Sequence, residues 1–149
     1  VPDWRVRVVK VTDLLVLGIP QKYPHGLEED RFERIFPLNC PVIFNFHGYT
    51  AAIKQLVWER PQNERFDING YREEGTTTTP FDMHILNRTS RYHVIIQAAQ
   101  KMGASNRKVA AKAEELVLKY ERKIADHRQF IRNEGIDSPE VTDWVWSHS

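Results

Sequence analysis

"PVIFNFHGY", Pro41 to Tyr49, decides the fold class. Its β-branched and aromatic residues run on without a polar alternation, which is the pattern of a strand covered on both faces inside a parallel sheet. "TAAIKQLVWE" (Thr50–Glu59) follows with helical propensity, and Gly48 marks a tight strand-to-helix turn. A second short strand is expected in "RFDINGY" (Arg65–Tyr71), ending at Gly70. Strands alternating with helices imply an α/β fold with a mostly parallel sheet and right-handed crossovers.

On the N-terminal side, "WRVRVVKV" (Trp4–Val11) alternates apolar and basic residues and reads as a strand with one face partly covered. "TDLLVLG" reads as a short helix or turn ending at Gly18, and "IPQKYPHG", with two prolines and a glycine, as loop. "LEEDRFERIF" carries acids in its first turn and apolar residues near helical spacing, so it predicts a short helix. On the C-terminal side, Thr79-Pro80-Phe81-Asp82 has the form of a helix start, with Thr79 as N-cap, Pro80 at the first helical position and Asp82 reaching back in a capping box. "FDMHILN" and "RYHVIIQAAQKMG" then form one helix or two in series. From about residue 106 to 134, Val109, Ala113, Leu116, Val117, Tyr120, Ile124, His127 and Ile131 recur at spacings of three and four, an apolar stripe on a charged helix that Gly135 ends. The tail, 135–149, holds Trp144 and Trp146, both too large to leave in water without a partner surface.

The chain has 149 residues, 41% of them apolar and 28% charged, which fits one globular domain. A net charge of +1 supplies no global field toward nucleic acid or an anionic membrane, and the basic run Arg5, Arg7, Lys10 reads as a solvated strand face. The single cysteine, Cys40, allows neither an intramolecular disulfide nor a thiolate zinc site, and a reducing cytoplasm is the expected location. The apolar runs are too short to span a bilayer. The chain opens without Met and enters a strand-like run within four residues, as a piece of a longer protein would.

Three groups of residues carry candidate chemistry. His47, Gly48 and Tyr49 stand where a buried strand runs out at its carboxyl end, the place where open α/β sheets bind ligands; the alternative is a capping histidine and a turn glycine. Glu73 and Glu74, beside Arg72, have the residue types of an acid/base pair, but adjacent residues in extended chain point opposite ways, and ion pairs to Arg72 or a partner chain suit them better. Thr76, Thr77, Thr78 and Thr79 after Gly75 either cradle a phosphate or satisfy the loop's own backbone and cap the next helix. No histidine or carboxylate spacing fits a metal, and no dinucleotide, P-loop or nucleophile-elbow motif is present.

"PVIFNFHGY", "NGYREEGTTTTPFDMHILN", "YPHG" (Tyr23–Gly26) and "DWVW" (Asp143–Trp146) resemble, in order and spacing, the carboxyl-terminal part of phosphoketolases acting on xylulose 5-phosphate or fructose 6-phosphate. The resemblance covers nearly the whole chain. It implies a three-layer α/β/α domain like the C-terminal domain of transketolases, lacking a first strand and helix ahead of Trp4. It also implies an enzyme that uses thiamine diphosphate and a divalent cation, Mg or Ca, to cleave the ketose phosphate with inorganic phosphate, giving acetyl phosphate and an aldose phosphate. This chain carries neither the Gly-Asp-Gly cofactor motif nor the glutamate-bearing pyrimidine segment. The expectation is therefore no catalytic, cofactor or metal residue here, inactivity alone, and a role in joining N-terminal catalytic domains within a homodimer or higher oligomer. An anion- or nucleotide-binding regulatory module, using His47, Tyr49, Arg60 and the threonine loop, is the alternative. Glu59-Arg60 and Asn69 depart from arginines common in phosphoketolases, which weakens any anion site built on those positions.

Overall fold

The computed structural model describes residues 4–72, 77–105 and 108–145. Glu73, Glu74, Gly75, Thr76 and Trp146 lie outside the described residues. Backbone contacts divide the chain into two compact units, Val1–Tyr71 and Arg72–Ser149. With helices around a small parallel sheet, the fold is of the α/β class expected from the sequence.

The first unit begins with a 3-10 turn, Leu14–Leu17, capped by Asp13, whose carboxylate accepts the Leu15 amide at 2.9 Å. Then come α1 (Glu29–Ile35), β1 (Val42–Asn45), α2 (Thr50–Val57) and β2 (Phe66–Asn69). The two strands pair in parallel, in the register Val42 to Phe66 through Asn45 to Asn69. Leu17, Phe32, Phe36, Phe44, Ile53, Val57 and Phe66 make the core, drawn from the 3-10 turn, α1 and its C-cap, both strands and α2. Phe32, Phe36 and Phe66 meet at tilted ring angles with centroids 5.0 to 6.1 Å apart, the geometry aromatic pairs prefer.

One expectation is corrected here. The stretch Trp4–Val11 was expected to be a strand, and it forms none. Its alternation is real, but a strand exists only where another strand accepts its backbone hydrogen bonds, and among the described residues none does so.

The second unit is helical: α3 (Pro80–Leu86), α4 (Arg91–Ser105), α5 (Ala110–Glu134) and the single turn α6 (Pro139–Thr142). "FDMHILN" and "RYHVIIQAAQKMG" are two helices, separated where Arg88 takes a left-handed backbone (φ 57°) and Ser90 begins the next turn. Thr79 caps α3 as the sequence implied, accepting the Asp82 amide at 3.4 Å with Pro80 in the first turn. The reciprocal half of the capping box is replaced. Asp82 accepts the Thr78 hydroxyl at 2.8 Å and lies 3.5 Å from the Arg128 guanidinium. The long helix α5 packs against α4, and of the stripe Ala113 and His127 within α5 and Val109 just ahead of it are buried. Gly135, at φ 72°, ends α5 and returns its amide to Ile131 at 2.8 Å.

Candidate functional site

Both strands of the first unit end in the same dipeptide, Gly48-Tyr49 after β1 and Gly70-Tyr71 after β2. Because the strands are parallel, both ends fall on one side of the sheet. The ladder continues beyond the strands proper: the Phe46 amide donates to the Asn69 carbonyl and the Tyr71 amide to the Gly48 carbonyl, each at 2.9 Å. The Asn69 side chain donates to that of Asn45 at 3.0 Å, closing the last paired rung. Gly70 is required by this closeness, since a Cβ there would lie 2.4 Å from the Gly48 carbonyl oxygen.

That closure brings three aromatic side chains together. The Tyr71 ring meets His47 edge-on at 5.1 Å and Tyr49 edge-on at 5.8 Å. All three are exposed, Tyr49 at 55%. His47, Gly48 and Tyr49, singled out in the sequence as one end of a strand, are thus one cluster. Tyr71 is the member that sequence reasoning missed, and the repeated Gly-Tyr at two strand ends was the signal for it.

Arg60 has a different use. Its side chain is wholly buried, with Nε donating to the Leu17 carbonyl at 3.0 Å, Nη2 to the carbonyls of Gly18 and Leu27, and Nη1 to the Glu29 carboxylate at 3.0 Å. The guanidinium plane sits 4.0 Å above the Phe32 ring. It pins the loop around Leu17–Leu27 to α1 and offers no surface to a ligand.

In the second unit, the Arg72 amide donates to the Asn87 side chain at 2.9 Å while the residue stays exposed. Thr77 is exposed, but the hydroxyls of Thr78 and Thr79 are turned inward. Thr78 donates to Asp82, and Thr79 donates to the Asp137 carboxylate at 2.6 Å. Asp137 also accepts the Phe81 amide at 3.1 Å and faces Nε2 of His127 at 3.1 Å, whose Nδ1 lies 3.0 Å from the Ser138 hydroxyl. Serine, histidine and aspartate here have the residue types of an acyl-transfer triad. The arrangement is a clamp instead. His127 is 3% exposed, Phe81 packs edge-on against its ring at 5.2 Å, and Asp137 is committed to three partners that tie the start of α3 to the end of α5. Nearby, burial first, then Arg88 and Arg72, holds the His93 imidazole below its usual pKa. Tyr92 is pushed up by burial and by Glu140, to which its hydroxyl donates at 3.2 Å.

A groove of about 560 Å³ opens in the first unit, lined by Ile19, Tyr23, Lys54, Trp58, Phe66 and Ile68 among others, with a Lys22–Glu59 ion pair at it. Trp58 is 72% exposed. Among the described residues, no three His, Cys, Asp or Glu side chains converge so as to hold a metal ion. No described helix is long and apolar enough to cross a membrane.

Comparison with known proteins fits this layout to one family, because the family model of the XFP C-terminal domain matches residues 1–146. The chain belongs to that family. Among its relatives, the probable phosphoketolase of Brucella abortus (strain 2308) is 41% identical over 146 residues, covering 98% of this chain and 18% of that protein. Probable phosphoketolase 2 of Rhizobium meliloti (strain 1021) is 41% identical over 145 residues, and probable phosphoketolase 2 of Nostoc sp. (strain PCC 7120) is 39% identical over 147. In both, the match likewise covers 18% of the relative. The chain therefore spans under a fifth of the length of these relatives.

Proposed function

We propose that this XFP C-terminal domain serves a thiamine diphosphate-dependent phosphoketolase, which cleaves xylulose 5-phosphate, fructose 6-phosphate or both with inorganic phosphate to acetyl phosphate and an aldose phosphate. Within it, the domain is a non-catalytic assembly piece that holds the catalytic domains and the second subunit in place. The observation that carries the family context is the unbroken match of nearly the whole chain to proteins named phosphoketolases. The assembly role rests on the surface. His47, Tyr49 and Tyr71 at the sheet end, together with Trp58 and Trp144, put large aromatic side chains in water, and aromatic residues of this kind are the usual anchors of protein interfaces.

Among the described residues, no three carboxylate or histidine side chains converge as a divalent cation would need, and no catalytic step is assigned to them. The threonine loop contributes to docking through its outward members. Thr77 is exposed, whereas Thr78 and Thr79 are spent on Asp82 and Asp137 and serve the fold of the second unit. The rival reading, a regulatory anion site, loses Arg60, whose donors are all buried.

The test places Tyr49→Ser with Tyr71→Ser in the phosphoketolase polypeptide that carries this chain. Sedimentation should show dimers dissociating at concentrations at least tenfold above those of the parent, with the melting of the 149-residue chain little changed. Unaltered dimers would remove the assembly role, and saturable calorimetric binding of phosphate, sugar phosphates or nucleotides to the chain would favour the regulatory module.

A further inference from the structure

The groove at the end of α2 has walls that the fold holds in place. Its volume, about 560 Å³, is that of a small-molecule site. Val57 and Phe66, both core residues, line it together with Ile68 of β2. Tyr23 and Trp58 add two aromatic side chains. The Tyr23 ring lies directly on Gly18, where a Cβ would come within 2.1 Å of it, and the Tyr23 amide donates to the Ile19 carbonyl at 3.0 Å. Buried Arg60 holds the same loop through the carbonyls of Leu17 and Gly18. Across the groove, the Trp58 carbonyl accepts the Asn63 side-chain amide at 2.5 Å, and Asn63 is itself a lining residue. The backbone on both sides is thus fixed, while the Trp58 side chain stays in water.

Charge narrows what the groove can take. Lys22, Lys54 and Glu59 all line it, and Lys22 is paired with Glu59. Lys54 makes no ion pair among the described residues, so the lining carries one uncompensated positive charge. A flat apolar group would bury area against Tyr23, Trp58 and Ile68, and a single negative charge would answer Lys54. A polyphosphate would bring several charges to one cation. We propose that this groove is a binding site for a small amphipathic monoanion, a flat apolar ring that bears one carboxylate. The site shares no residue with the His47, Tyr49 and Tyr71 cluster. It goes beyond the assembly reading and meets it only at Trp58, which the experiment decides.

The probe is 2-naphthoate, a flat ring with one carboxylate. Its binding is read by NMR at the Trp58 indole N–H and the Ile19 and Ile68 methyl groups of the 149-residue chain, and by calorimetry in the longer polypeptide that carries it. Saturable one-to-one binding is expected in both. Trp58→Ala should weaken it at least about tenfold, and Lys54→Met about two- to fivefold. Melting should stay unchanged in both variants, because both side chains are exposed. The neutral analogue 2-naphthylmethanol should bind the parent more weakly than 2-naphthoate does, and should not distinguish it from Lys54→Met. Inorganic phosphate, a charge without a ring, should leave the Trp58 signal in place. No saturable shift, binding that survives Trp58→Ala, or equal affinity for the acid and the alcohol overturns the proposal. Binding to the 149-residue chain that vanishes in the longer polypeptide means that another part of the protein covers Trp58, and this also overturns it. None of these results bears on acetyl phosphate formation, so the phosphoketolase reading stands or falls separately.

Discussion

Replacing Arg60 by Met should destabilise the first unit more than any other single polar change in it. The methionine fills much of the same space and keeps contact with Phe32, so the loss isolates the guanidinium. That group satisfies the carbonyls of Leu17, Gly18 and Leu27 and neutralises Glu29, whose second carboxylate oxygen is already buried without a partner. Each buried acceptor left unmade costs about 1–3 kcal/mol, and breaking one side of a buried ion pair about 3–5 kcal/mol. These overlap, because Glu29 is 40% exposed and its freed carboxylate turns to water. A net loss of about 3–4 kcal/mol is the expectation, a large share of the roughly 5–15 kcal/mol that stabilises a typical domain. In urea, with a slope of about 1–3 kcal/mol per molar, the midpoint should fall by 1 M or more. Arg60→Lys should recover only part, since one ammonium cannot reach three carbonyls and a carboxylate in a planar fork. A loss below about 1 kcal/mol for Arg60→Met, with unchanged slope, would refute the reasoning that this residue is a structural pin.

Gly70→Ala forces a methyl to 2.4 Å from the Gly48 carbonyl, so the two strand ends must part; a loss of about 2 kcal/mol or more and broadened His47 and Tyr71 ring resonances are expected. Thr79→Ala removes both the cap of α3 and the 2.6 Å bond to Asp137, and chemical denaturation should show a loss of about 1–2 kcal/mol in the second unit. His93 is held below its ordinary value of about 6.5, so the unfolded chain takes up the proton first as the pH falls. The stability that neutral His93 contributes is therefore complete above that ordinary value and is lost below it, by at most about 1.4 kcal/mol per pH unit until the folded form protonates too. Urea midpoints at pH 7.5 and 5.5 should lie further apart for the parent than for His93→Gln, and identical pH slopes would count against it.

Legibility in the sequence followed locality. β1, β2, α2 and the cap at Thr79 are set by runs of a few residues and stood where the pattern put them. Gly135 stopped α5 for the reason any left-handed cap does. Trp4–Val11 failed because a strand is a relation between segments, and the alternation of valine with arginine says nothing about whether a partner is present. Asp82 was misassigned for a similar reason. Its carboxylate had a closer donor in Thr78 and a cation from α5, neither of which the spacing Thr79 to Asp82 can reveal. Arg60 looked like a free cation in sequence, and only the folded loop of carbonyls around it shows otherwise. His127, read simply as part of an apolar stripe, is the buried centre of a polar clamp whose other members, Asp137 and Ser138, sit ten and eleven residues away.

The central claim, that this chain assembles a phosphoketolase without performing its chemistry, is tested most directly by acetyl phosphate formation from xylulose 5-phosphate and inorganic phosphate with thiamine diphosphate and Mg²⁺ supplied. The account expects none from the 149 residues alone, full turnover from the longer polypeptide that carries them, and a dissociated, inactive remainder when they are deleted. Turnover by the 149 residues unaided, or an undiminished dimeric enzyme after their deletion, would contradict it.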